Sequence, residues 1–193
     1  MSARRPGIGG TPLLDWGDTL RAAKARHRRR VRRIAIGAAG IAVLLSTVTL
    51  PPAPRLVWNA SASAPIGLYA VAPGTAARPG DMVVARLPEP YRRLAATRRY
   101  LPLNVPLVKR VAAAAGDDVC ALGRRIFVNG RPAAERLAVD RAGRPMPHWS
   151  GCHRLRGDQR FLLMDAPASF DGRYFGVTEG VDIVGKARLL WAR

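Results

Sequence analysis

Apolar residues are distributed along this chain in two different rhythms. Positions 34–50 form one unbroken uncharged run, IAIGAAGIAVLLSTVTL, behind a strongly basic arm. From position 65 onward apolar runs are short, often alternate with polar residues, and are each cut off by Gly, Pro, Asn or Asp, which is the pattern of strands joined by turns. The predicted strands are 67–71, 82–86, 107–113, 118–122, 125–128, 160–164 and 181–191, and the predicted helix in this part is 89–99. Gly80-Asp81 and Gly116-Asp117 precede strands and Asn129-Gly130 follows one, all residues that adopt turn dihedrals at little cost. The expected fold is mainly β, a domain over 51–193 tethered by one N-terminal transmembrane helix over 34–50, with a basic arm over 1–33.

Composition leaves room for this plan and little more. The chain has 193 residues, 48% of them hydrophobic, enough for one packed domain with short appendages. Its formal charge of +19 suggests nucleic acid or an anionic membrane, but the charge is uneven. Residues 1–33 hold ten basic residues against Asp15 and Asp18, a net +8 in a sixth of the chain. An arginine cluster abutting an apolar run is a topology determinant more often than a nucleic-acid patch, so a lipid bilayer is the expected partner and no nucleic acid is expected.

The 17-residue run spans about 26 Å at 1.5 Å per residue, against a hydrocarbon core of roughly 30 Å. Bilayer thinning or snorkelling of Arg32 and Arg33 closes that difference. Three identities compete for it: a spanning helix, a cleaved signal peptide and a buried core helix. The basic block before the run and Pro51, Pro52 and Pro54 after it favour a single-pass anchor in the inner membrane, with the arm cytoplasmic and the body exported. Ala60-Ser61-Ala62 has the small residues of a cleavage site, but its distance from Leu50 is wide for a cleavable signal.

On the exported side, Cys120 and Cys152 suit a disulfide, worth about 3–4 kcal/mol for a loop of this length. The alternative, a metal site adding His148 and His153 to Cys152, lacks paired ligand spacing, and no metal or cofactor is expected. The remaining chemistry rests on hydroxyls and amines. Pro65 biases Ala64 toward extended dihedrals, so Ser63 is expected on extended backbone, and Ser61 falls on the same side if the segment is a strand. A bland alternative makes both serines linker residues after the apolar run. Arginine outnumbers lysine 29 to 3, yet Lys109 interrupts the apolar stretch Pro-Leu-Val-Lys-Arg-Val-Ala-Ala-Ala-Ala. A guanidinium cannot shed its proton at physiological pH, whereas burial makes an amine a usable base. Snorkelling of Lys109 into solvent is the competing reading, and Lys186 is the rival base. The histidines, His27, His148 and His153, have no serine in an elbow motif to pair with.

These residues resemble the type I signal peptidase family, and within it the conjugative-transfer enzymes of the TraF type. The matching blocks are NASASAPIGLY at 59–69, PGDMVVARLP at 79–88, LVKRVAAAAGDDV at 107–119 and SFDGRYFG at 169–176. The resemblance implies a signal-peptidase/LexA-like β domain carrying a Ser-Lys dyad. Ser63 is then the nucleophile, Lys109 the general base and Ser61 a donor to the oxyanion. Ser169 orients the amine, and Asp171 and Arg173 brace the site. The implied partner is a membrane-inserted precursor, a pilin-like subunit, hydrolysed or cyclised. Two departures stand out: Ala64 alone separates Ser63 from Pro65 where the general secretory enzyme has two residues, and Ala113-Ala114-Ala115 replaces the usual Gly-Leu-Pro. Competing assignments are a general secretory signal peptidase, a LexA-like self-cleaving repressor, and a non-enzymatic assembly protein of a secretion apparatus.

Overall fold

The computed structural model describes residues 12–49 and 53–193, and the chain divides into two units, one ending at Pro52 and one beginning at Ala53. The first is a single helix, α1 (Pro12–Thr49). It runs through much of the basic arm and the uncharged run as one element; Arg4, Arg5 and Leu50 lie outside the described residues. The uncharged part of α1, 34–49, covers only about 24 Å at the usual helical rise, and Gly and Ala dilute its hydrophobicity. Among the described residues no helix is long and apolar enough to cross a membrane.

The second unit is mainly β. In chain order its elements are β1 (Leu56–Asn59), β2 (Gly67–Pro73), β3 (Met82–Ala85), α2 (Glu89–Thr97), β4 (Leu107–Ala113), β5 (Asp118–Leu122), β6 (Arg125–Val128), β7 (Arg131–Glu135), β8 (Gly151–Arg154), β9 (Phe161–Leu162), the short helix α3 (Gly172–Phe175), a 3-10 turn (Gly180–Asp182) and β10 (Ile183–Ala192). They form a six-stranded sheet ordered β1-β2-β10-β3-β4-β9 and a four-stranded sheet ordered β7-β6-β5-β8, with antiparallel pairings throughout.

Three of the predicted strands, 107–113, 118–122 and 125–128, coincide with β4, β5 and β6. The predicted strand 160–164 shrinks to two residues, because Leu163 bonds through its N–H to Arg110 O and the chain then turns around the Asp171 carboxylate. The predicted strand 181–191 begins instead with the 3-10 turn, closed by Asp182 N–H on Glu179 O. Asn129 and Gly130 both take positive φ, 50° and 73°, in the tight turn that joins β6 to β7. Such a pair matches the right-handed twist of its flanking strands.

The strand that matters most is β4. Its first three residues are all buried, so both of its faces are covered there. Leu107 and Val111 pack into one apolar cluster with Val83, Leu87 and Phe175, while Val108 packs into another with Tyr69, Val71, Val84 and Met164. Lys109 sits between Val108 and Arg110 opposite Val83 of β3 and is 4% exposed. A polar group survives there only with hydrogen-bond partners.

Candidate active site

Seven residues, 60–66, join β1 to β2, whose ends Asn59 and Gly67 face each other in register. The segment is a turn and not a strand, which corrects the extended expectation for Ser63. Ala64 N–H reaches back to Ser61 O at 3.4 Å. The turn, rather than strand alternation, brings the two hydroxyls together: Ser61 Oγ lies 2.9 Å from Ser63 Oγ, and Ser63 N–H points at Ser61 Oγ over 3.4 Å.

Lys109 reaches this turn from β4. Its Nζ lies 2.8 Å from Ser63 Oγ and 2.7 Å from Ser169 Oγ. Ser169, 2% exposed, is held by its N–H to Ala166 O. Burial is the main cause that lowers the Lys109 amine to about 8; the Asp171 charge opposes the shift and the Arg173 charge adds to it. A neutral amine that donates to Ser169 has its lone pair free for the Ser63 hydroxyl proton.

Asp171 and Arg173 form an ion pair inside the protein, with side chains 0% and 2% exposed. Asp171 accepts from Arg173 Nε at 2.8 Å and from the Met164 N–H at 3.1 Å, and it also caps α3 through the Arg173 N–H. Arg173 in turn donates to Pro167 O at 3.1 Å. The pair therefore fastens the 164–169 loop that carries Ser169. Neither side chain touches Nζ, and their effect on it is electrostatic.

The rival assignments fall elsewhere. Lys186 projects from β10 into an ion pair with Asp81 at 2.8 Å, well exposed and without a serine partner. Cys120 and Cys152 occupy directly opposed positions on β5 and β8 and are joined in a disulfide, which removes Cys152 as a metal ligand. His153 packs against Trp149 with the rings tilted by 56°. Among the described residues no group of His, Cys, Asp and Glu could hold a metal ion.

Asn59 belongs to the site although its side chain carried no assigned role in the sequence. It is 6% exposed, and its Oδ1 accepts from the Ser61 N–H at 3.1 Å, closing an Asx turn. An Asn two residues before a serine, at the end of an apolar strand, is the signal that would have marked it.

Two openings meet at Ser63. A cleft of about 920 Å³ is lined by Leu87, Leu101, Val105, Leu107, Leu137 and Val139 and has Ser61, Ser63, Lys109 and Ser169 in its wall. A smaller opening of about 460 Å³ beside the 60–66 turn is lined by Ala62, Ala64, Pro65, Ile66, Met164 and Asp165. A peptide crossing from one to the other passes over the hydroxyl.

A serine hydroxyl beside a buried lysine amine, in the wall of a cleft and within a β domain of antiparallel pairings, defines the class. The family described as signal peptidase, peptidase S26, matches residues 28–192, and the chain belongs to it. Similar curated proteins include plasmid and conjugal transfer proteins. The chain is 36% identical over 91 residues to the plasmid transfer protein TraF of Escherichia coli, covering 44% of this chain and 51% of that protein. It is 34% identical over 142 residues to the probable conjugal transfer protein TraF of Sinorhizobium fredii, covering 67% and 73%. The chain thus spans about half the length of the Escherichia coli relative and nearly three quarters of the Sinorhizobium one. A signal peptidase I from Enterococcus faecalis is similar at 18% identity with a TM-score of 0.33, over 56% of this chain and 94% of that one.

Proposed function

We propose that the chain is a Ser-Lys endopeptidase that cuts the leader region of an exported precursor, a pilin-like subunit of a conjugative transfer system. The observation that carries this reading is the 2.8 Å approach of the buried Lys109 Nζ to Ser63 Oγ. Neutral Lys109 takes the hydroxyl proton as Ser63 Oγ attacks the scissile carbonyl. The new oxyanion is stabilised by the Ser63 N–H and the Ser61 hydroxyl, both of which lie beside Ser63 Oγ in the turn. The resulting lysine ammonium protonates the leaving amine, giving an acyl-enzyme, and water activated by the same amine resolves it. If an amine at the precursor's other end attacks in place of water, the product is a ring.

The arginine-rich arm followed by the uncharged 34–50 run supports an inner-membrane location, single-pass, with the N-terminus cytoplasmic and the β domain periplasmic. There the lipid bilayer and a membrane-inserted precursor are its partners. Carbonate extraction and protease protection of membrane vesicles test that topology.

The enzymatic reading is tested by precursor processing in cells carrying Ser63→Ala or Lys109→Arg. Both variants are expected to fold and to leave the precursor uncut. Lys109→Arg keeps the charge and abolishes the base. Processing by both variants refutes the assignment. The mass of the mature product then separates hydrolysis from ring closure, which removes one further water.

A further inference from the structure

The 60–66 turn holds the nucleophile with very little backbone bonding of its own. Among the described residues its internal backbone bond, Ala64 N–H to Ser61 O, is long at 3.4 Å, and its far end is pinned by Arg193 N–H on Ile66 O at 3.0 Å. The Asn59 carboxamide supplies what the backbone does not. Besides accepting from the Ser61 N–H, it shares the two hydrogens of Nδ2 among Ser61 O at 3.0 Å, Ala64 O at 3.2 Å and Pro65 O at 3.0 Å. These contacts lie on both limbs of the turn, two residues before Ser63 and one and two residues after it. Tyr69 adds its hydroxyl to Pro65 O at 2.9 Å. One buried side chain at the end of β1 therefore spans the turn with Ser63 between its points of attachment.

We propose that Asn59 is the positioning residue of the nucleophile, a carboxamide staple across the 60–66 turn that keeps Ser63 Oγ against Lys109 and fixes the direction of the Ser63 N–H. The inference rests on the reading of Ser63 as nucleophile. Its logic is geometric. Asn59 lines the cleft, but its hydrogen bonds go to the backbone of the turn and not to Nζ, so its removal leaves the base in place. What changes is the alignment of hydroxyl and N–H, and a misplacement of about 1 Å costs on the order of 100-fold in rate.

The test uses the full chain in detergent and N-acetyl-alanine p-nitrophenyl ester as an acylating probe, with Ser63→Ala as the background. Asn59→Leu keeps the side chain's shape and removes every hydrogen bond; Asn59→Asp keeps the acceptor and removes the donors. The expected result is a fall in the acylation rate constant of about 10- to 100-fold in both variants. Half-saturation should stay within about twofold, and the Asn59→Leu pH midpoint should equal that of the wild type. A rate constant within about twofold of wild type for Asn59→Leu overturns the inference, since a packing role is satisfied by the isostere. A shifted pH midpoint in that variant overturns it as well, because Asn59 would then act through the base. Loss of the thermal unfolding transition in both variants makes Asn59 a folding residue and also overturns it. A wild-type rate no higher than that of Ser63→Ala sinks the peptidase reading itself, an outcome distinct from a positive wild type with unaffected Asn59 variants.

Discussion

Replacing Lys109 by Met should make the protein inactive and change its stability in a pH-dependent way. In the unfolded chain the amine has its ordinary value near 10.5, whereas burial in the folded protein lowers it to about 8. At pH 7 both states are largely protonated, and the folded state carries an ammonium that is largely desolvated. The gap of about 2.5 pH units corresponds to about 3 kcal/mol of lost stability at neutral pH. Between the two values the unfolded chain binds more protons than the folded one, so wild-type stability rises with pH from about 8 toward 10.5. The stability is fully recovered above the unfolded value and is lost as pH falls through the folded one. Met fills similar volume without a charge, but it deprives Ser169, 2% exposed, of its partner, a cost of about 1–3 kcal/mol. At pH 7 the two effects leave Lys109→Met equal to or more stable than the wild type by about 0–2 kcal/mol. The decisive quantity is the difference between the two proteins. It should move by about 3 kcal/mol in favour of the wild type between pH 7 and pH 10.5, measured by urea unfolding in detergent at a series of pH values. A difference that stays constant across this range refutes a desolvated, titrating amine at position 109.

The same amine sets the activity profile. The rate constant for Ser63 acylation should rise with pH with a midpoint near 8, roughly a tenth of the amines being neutral at pH 7 and about half at pH 8; a flat profile contradicts Lys109 as base. Arg173→Gln leaves the Asp171 carboxylate buried without its counter-charge, so it should cost about 3–5 kcal/mol in chemical unfolding. In whatever fraction remains folded, the acylation midpoint should move upward, because the charge that lowers Lys109 is gone and the one that raises it remains. Gly67→Ala would place a Cβ 2.0 Å from Trp191 O in the β2-β10 pairing and should destabilise by about 1–3 kcal/mol, read as a lower melting temperature.

The strands that periodicity revealed are those with one or both faces in the core. β4, β5 and β6 each carry buried β-branched or aromatic side chains, and their ends coincide with the apolar pattern. The strands that it did not reveal lie at sheet edges. Every residue of β8 is exposed, β7 is Arg-Pro-Ala-Ala-Glu with little to bury, and β1 shows Leu56 and Trp58 to solvent. An edge strand needs its backbone pairing more than an apolar face, and it tolerates proline, so residue type says little about it. The candidate site residues were legible for a different reason. Lys109 is an ionisable residue inside an apolar stretch in a chain that otherwise uses arginine, and that conflict with the local pattern is visible without coordinates. The serines were marked by motif, but how they meet was not. The turn over 60–66 depends on the side chain of Asn59 and on its register with Gly67, both of which are products of the folded sheet.

Ser63, Lys109 and Ser169 are far apart along the chain, the first two separated by 46 positions and the last two by 60. A polypeptide still being synthesised or threaded through a translocation channel has no segment in which hydroxyl and amine are neighbours, and its lysine is hydrated and charged. Whatever chemistry the two groups perform together therefore arises only with the tertiary structure.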